Sequence, residues 1–244
     1  MGSLSYTIKE HFTFTPEELR ALVIGILLTG FMFSFDEWGT TTFSLSEGLR
    51  NLVNAILIAT LAFLVHQSAQ RIVALSVGFK LEYRIWMYGI IIGLALTIVS
   101  RGKLWLLAPG GIIAYHLVGH RIGSFRYGLN YWPLGMIGLV GPLSNLVLAM
   151  VFKLLLLLAP TNVLLQQAMV FNIWFALFTI LPIPPLDGSH LFFASRLMYM
   201  FMLGAVIGMS TALYFFGIFA SIVLGIIFGV VCWLSYFWHF EKGS

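Results

Sequence analysis

A single cysteine, Cys232, stands among 244 residues, so no disulfide can form within the chain and no redox compartment can be read from it. Charge is equally scarce. Asp, Glu, Lys and Arg make up 9% of the residues, against about 25% in a soluble globular domain. That scarcity excludes an ordinary soluble domain. It also excludes a disordered chain, which needs high charge and little hydrophobicity. The net charge of +4 is small and spread out, which argues against a nucleic-acid surface. Apolar residues take the place of charge, at 60% of the chain with a mean hydropathy of +0.97. The 24 glycines suit close helix packing in lipid. The composition is that of an all-α polytopic membrane protein whose surroundings are a lipid bilayer.

Local signals divide the chain into spans. Thr15-Pro16-Glu17-Glu18 opens a helix: a capping hydroxyl, proline at the first position, acids in the first turn. That helix runs through Ala21 to Phe35. A second begins near Leu49 and passes His66 to about Val77. From Leu81 to Tyr131 glycines and Pro109-Gly110-Gly111 break the pattern. A third runs from about Pro133 to Leu158, and a fourth ends at Leu181 before Pro182, Pro184 and Pro185. The rest is apolar to Phe240, long enough for a C-terminal helix pair over about 197–239 with a break near Gly217. This predicts one membrane domain over 1–244 with about six transmembrane helices.

Charge sets the orientation. The 36–48 loop carries Asp36, Glu37 and Glu47 and no base, whereas Arg71, Lys80, Arg84, Arg101, Lys103, Arg121 and Arg126 follow the second helix. The positive-inside bias places the N-terminus in the cytoplasm. The segment of about 85–125 must then start and end on the same side, which predicts a re-entrant hairpin between the second and third helices. Such backbone persists in a membrane only where protein or a wet cavity shields it.

Polar residues inside these spans are costly and usually functional. His66-Gln67-Ser68-Ala69-Gln70 places His66 and Gln70 on one helix face, i and i+4. This is the frame of the H-E-x-x-H zinc motif, with Gln67 in the glutamate position and Gln70 in that of the second histidine. Taken alone, the frame also describes polar residues bonding between helices, the commoner use of such side chains. Leu181-Pro182-Ile183-Pro184-Pro185-Leu186-Asp187-Gly188 sets a carboxylate after a proline-broken helix end. Alternatively, Asp187 simply caps the next helix. Gly141-Pro142-Leu143-Ser144-Asn145 lies within the third span, where Asn145 could equally join two helices.

Together, and in this order over roughly residues 50–195, the three motifs resemble the site-2 protease family of intramembrane zinc metalloproteases. The resemblance implies a zinc cofactor held by His66, position 70 and Asp187. Position 67 would supply the general base. Asn145 and Asn172 would bond the substrate backbone or the oxyanion. Active relatives cut membrane-anchored proteins, often to release a regulatory domain, and a helical substrate must unwind to expose its carbonyls.

This chain departs from the pattern. Gln67 cannot take a proton, which removes catalysis typically worth about 10²–10⁴-fold. Gln70 is a poor zinc ligand, leaving two strong donors where catalytic zinc normally has three. Thr179 stands where many relatives carry asparagine. His190, three residues after Asp187, reads as structural, and His116 with His120 as a polar hairpin edge. The expected function is a metalloprotease scaffold without proteolytic activity, with zinc occupancy in doubt. It is either a natural pseudoprotease or an engineered form of a parent with glutamate at position 67 and histidine at position 70. Its partner would be a membrane-embedded substrate or client. The alternative class is a non-enzymatic membrane scaffold; a transporter would show paired broken helices, and Pro182-Pro184-Pro185 has no counterpart in the first half.

Overall fold

The computed structural model describes residues 4–39, 43–117 and 131–242. A short helix α1 (Leu4–His11) precedes α2 (Pro16–Phe33), whose first turn is capped where Thr15 Oγ1 accepts from the Glu18 amide at 3.2 Å. The long α3 (Leu45–Ser76) follows, and Gly78, at φ 83°, turns the chain into β1 (Phe79–Ile85). Helix α4 (Met87–Val99) separates β1 from β2 (Gly110–His116). Then come α5 (Tyr131–Leu158), α6 (Val163–Thr179), α7 (Asp187–Ala194), α8 (Arg196–Phe215) and α9 (Ile218–Tyr236), the last running into a π-turn to Glu241. Asn162 caps α6 and Ser195 caps α8 through their side-chain oxygens.

Four of these helices are long and apolar enough to cross a membrane: α3, α5, α8, and α9 with its π-turn. The chain is an integral membrane protein. Helix α6 has 17 residues, and α2 carries Glu17, Glu18 and Arg20 in its first turns. On α3 the face bearing Leu57, Leu61 and Leu64 is exposed, whereas the one bearing Ala59, Ala62, Phe63, His66 and Gln70 is buried. Helices α8 and α9 run antiparallel at close range. Gly204 of α8 lies against Phe228 and Cys232, and Gly225 and Gly229 of α9 lie against Ala205 and Phe201.

The chain is not wholly α-helical, which corrects the expectation from composition. Residues 79–85 and 110–116 form a two-stranded antiparallel sheet, with Tyr83 opposite Ile112 and Ile85 opposite Gly110. The cause is local: Phe79-Lys80-Leu81-Glu82-Tyr83-Arg84 alternates apolar and charged residues with the period of a strand. Phe79, Leu81 and Tyr83 are buried, and the residues between them are not. The sheet packs against α2 and α3, and brings Pro109-Gly110-Gly111 onto the proline loop before α7: a Cβ at Gly111 would overlap the Pro185 carbonyl.

Aromatic packing lies behind this arrangement. Phe63 of α3 stacks on Phe175 of α6 at 4.8 Å, and Phe33 of α2 meets Phe171 edge-on at 5.2 Å. Tyr83 and Leu107 complete the same buried cluster. It fixes α2, α3, α6 and the sheet relative to one another on one side of the polar centre.

Candidate functional site

His66, Gln67 and Gln70 come from the buried face of α3, Asn145 from α5, Asn172 from α6 and Asp187 from the first turn of α7. All are at most 4% exposed. The prolines explain where Asp187 stands. Pro182 and Pro184-Pro185 cannot continue α6, so the chain turns and restarts a helix at Asp187. The carboxylate then sits in the first turn of α7. Gly188 allows the turn to close: a Cβ there would overlap the backbone of Ile180.

The geometry joins the motifs directly. His66 Nε2 lies 2.8 Å from Asp187 Oδ2, and Gln70 Nε2 donates to Asp187 Oδ1 at 2.8 Å. Both carboxylate oxygens are thus occupied by neighbours on α3. Behind the imidazole, His66 Nδ1 lies 2.6 Å from Asn145 Oδ1. Asn145 is held in that orientation because its Nδ2 donates to the Ala62 carbonyl at 3.2 Å and to Asn172 Oδ1 at 2.8 Å. Asn172 Nδ2 donates to the Ala168 carbonyl at 2.8 Å. Nδ1 of His66 therefore carries a proton, and Nε2 is aimed at the carboxylate. Histidines that bind metals are oriented in the same way, by a bond from the second ring nitrogen. In this chain Nε2 meets a carboxylate oxygen at 2.8 Å, with both side chains buried.

A stripe of glycines on α5 makes room for the centre. A Cβ at Gly138 would crowd the Asp187 carbonyl, and one at Gly141 would overlap His66 Nε2 and crowd Gln70 Nε2. This gives Gly141-Pro142-Leu143-Ser144-Asn145 two functions: the glycine admits the imidazole and the asparagine orients it. Replacing Asn145 by leucine is expected to lower stability by about 1–3 kcal/mol, because Asn172 Oδ1 and His66 Nδ1 lose their buried partner. Denaturant unfolding of the detergent-solubilised chain measures this. A change below about 0.5 kcal/mol, the usual range for surface substitutions, contradicts the orienting role.

The other sequence candidates lie apart. Thr179 Oγ1 donates back to the Phe175 carbonyl at 2.9 Å within α6. His190, on α7 beside Gly138, has a buried Nε2 without a partner among the described residues. His116 ends β2 against Phe79, and His120 falls outside the described residues. Among the described residues, no third His, Cys, Asp or Glu joins His66 and Asp187 in a group able to hold a metal. The donor set does not fit a catalytic zinc ion: it offers two strong ligands and, at position 70, an amide nitrogen turned inward.

Two features escape a motif-based reading. Arg71, next after Gln70, forms a buried ion pair with Glu18 of α2 and donates to the Thr13 carbonyl at 3.0 Å; Glu18 Oε1 also accepts from the Tyr83 amide at 2.8 Å. A charge inside an apolar helix was the available signal. The second is Tyr83 itself. Its hydroxyl is buried without a partner among the described residues, and burial followed by the nearby charge of Asp187 raises the phenol well above its ordinary pKa.

Fold and site together define a polytopic helical membrane protein with a buried histidine–aspartate centre where α3, α5, α6 and α7 meet. The chain is 31% identical over 182 residues to the curated protein named "Putative zinc metalloprotease MJ0611" of Methanocaldococcus jannaschii, an alignment covering 73% of this chain and 84% of that protein. No family model matches the chain, and no solved structure matches it. The chain belongs to the site-2 protease-like family of membrane zinc metalloproteases.

Proposed function

We propose that this chain is an intramembrane metalloprotease scaffold that holds membrane-anchored segments without cutting them. One observation carries the reading. The side chain in the second-ligand position donates Nε2–H to Asp187 at 2.8 Å, where a ligand would direct a lone pair. Gln67, in the position of the base, has no atom that accepts a proton at neutral pH. His66 and Gln70 take both Asp187 oxygens by hydrogen bonds, and neither amide supplies a base to activate water.

In this reading α2 and α6 add two crossings to the four long helices, giving six, and the β1–α4–β2 segment is the re-entrant element. The core of about 50–195 carries the site and the C-terminal helix pair flanks it. The bases near β1 support a cytoplasmic N-terminus. Asn145 and Asn172 act behind the imidazole as its support. The bound segment lies extended, because a helix hides its carbonyls. The sheet supports this, since no described segment pairs with the outer edge of β2.

The test is a paired assay on the purified chain in detergent. A labelled single-span membrane protein is expected to co-purify with it and to remain uncut on prolonged incubation with added zinc. Discrete fragments absent from an Asp187→Asn control contradict the inactive reading. Failure of every member of a broad panel of single-span proteins to associate contradicts the holding role.

A further inference from the structure

Between the first turn of α2 and the outer edge of β1 lies an open cavity of about 440 Å³, lined by Thr15, Glu17, Glu18, Glu82, Tyr83 and Arg84 among others. Three carboxylates face it against one guanidinium. Arg84 is largely exposed and lies 3.6 Å from Glu82, so water screens much of its charge. Glu18 differs from the rim residues. It is 2% exposed, and its Oε1 is taken by Arg71 and the Tyr83 amide. Its Oε2 has no partner among the described residues. A buried carboxylate oxygen without a donor is costly and rare in a folded protein. Glu18 lines a space large enough to admit one.

We propose that this cavity is a subsite for a lysine or arginine side chain in the flank of the membrane segment held at the His66–Asp187 centre. The proposal rests on the client-holding reading and extends it to a charge preference. The donor that Glu18 Oε2 lacks is an ammonium or guanidinium hydrogen, and Glu17 and Glu82 supply the attraction at the rim. The cavity is tied to α3, the helix of His66 and Gln70, by the Glu18–Arg71 pair. Tyr83 lies in its wall with its hydroxyl against Gly110, and Arg71, paired with Glu18, directly follows Gln70.

Sidedness supports the same ligand. Arg84 lines the cavity, Lys80 lies on the same strand, and Arg71 pairs with Glu18 in its wall. By the positive-inside bias this end of the bundle is cytoplasmic. The same bias gives membrane-anchored proteins an excess of Lys and Arg on their cytoplasmic flank. A client entering the bilayer next to the chain therefore presents basic residues at the level of these carboxylates. Against one such residue, the opposite charge steers and orients the segment before its apolar part settles.

Two synthetic peptides test this. Each is a leucine–alanine helix of about 20 residues, long enough to span. One has three lysines on its cytoplasmic-side flank and the other three glutamines. Each carries a fluorophore at the opposite end. They are titrated against the full chain in a zwitterionic detergent, so that lipid charge plays no part. The lysine peptide is expected to bind about tenfold more tightly at low salt, with the preference shrinking as salt screens it. In the Glu17→Gln/Glu82→Gln chain the preference is expected to fall below about twofold, with the glutamine peptide's affinity unchanged. Equal binding of both peptides to the unaltered chain overturns the subsite and leaves the holding reading intact. A lysine preference that survives the double substitution also overturns it. Binding of neither peptide overturns both the subsite and the reading it rests on.

Discussion

Zinc content of about one ion per chain is the expected result of changing Gln67→Glu and Gln70→His together, with cleavage of single-span substrates appearing at the same time. The structure separates the two substitutions. His66 already has the orientation of a metal ligand, with Nδ1 bonded to Asn145 and Nε2 turned towards Asp187. Gln70 Nε2 already reaches within 2.8 Å of the same carboxylate, so an imidazole at position 70 brings a third nitrogen or oxygen donor to the centre. Gln70→His alone should therefore load zinc. It should still cut about 10²–10⁴ times more slowly than the double variant, because the base is missing. Gln67→Glu alone should neither load zinc nor cut. It adds a base to a site that still has two strong ligands. Elemental analysis of the three variants reads the metal, and gel-resolved fragments read the chemistry. A double variant that loads zinc yet cuts nothing in a broad panel contradicts the scaffold reading.

Glu18→Gln should be the most damaging single change away from the centre. It leaves Arg71 charged and buried without its partner, a situation that costs about 3–5 kcal/mol. The loss has three parts in this fold. Glu18 ties α2 to α3 through Arg71, and to β1 through the Tyr83 amide, while Arg71 also anchors the Thr13 carbonyl and lies 4.0 Å over the ring of Phe14. Removing both charges, as in Glu18→Leu/Arg71→Met, should recover most of the stability, since paired apolar replacements of buried ion pairs are often neutral. Denaturant unfolding of the two variants in the same detergent separates them. Equal stability for the unaltered chain and Glu18→Gln would show that water reaches the pair and that it holds nothing together.

The residues that converge on the centre were legible because their chemistry is anomalous in an apolar chain. A histidine, two amides and an aspartate after three prolines are expensive inside a membrane, so each marks itself. The helix boundaries were legible for a similar reason. Pro16 and the prolines from Pro182 are breaks that act locally, and the structure places ends beside them, whereas α3 begins at Leu45, ahead of the expected start near Leu49. The sheet was hidden by the use made of Lys80 and Arg84. Read only as markers of the cytoplasmic side, they concealed the alternation of Phe79 to Arg84, which by itself specifies a strand. The partners of Asn145 were also beyond the sequence. Nothing in Gly-Pro-Leu-Ser-Asn says that the amide spends its hydrogens on Ala62 and Asn172 and its oxygen on His66; that follows from where α3, α5 and α6 cross. Glu18 and Arg71 lie 53 residues apart, and only packing could pair them.

The central claim is that hydrogen bonds from His66 and Gln70 fill the place of a metal in this chain. The most direct measurement is the zinc content of the unaltered protein, purified without chelator from zinc-supplemented medium and analysed per mole of chain. The expected value is well under about a tenth of an equivalent, unchanged in an Asp187→Asn control. A value near one equivalent that falls with Asp187→Asn would contradict the claim, because it would require a third ligand at the centre beyond His66 and Asp187.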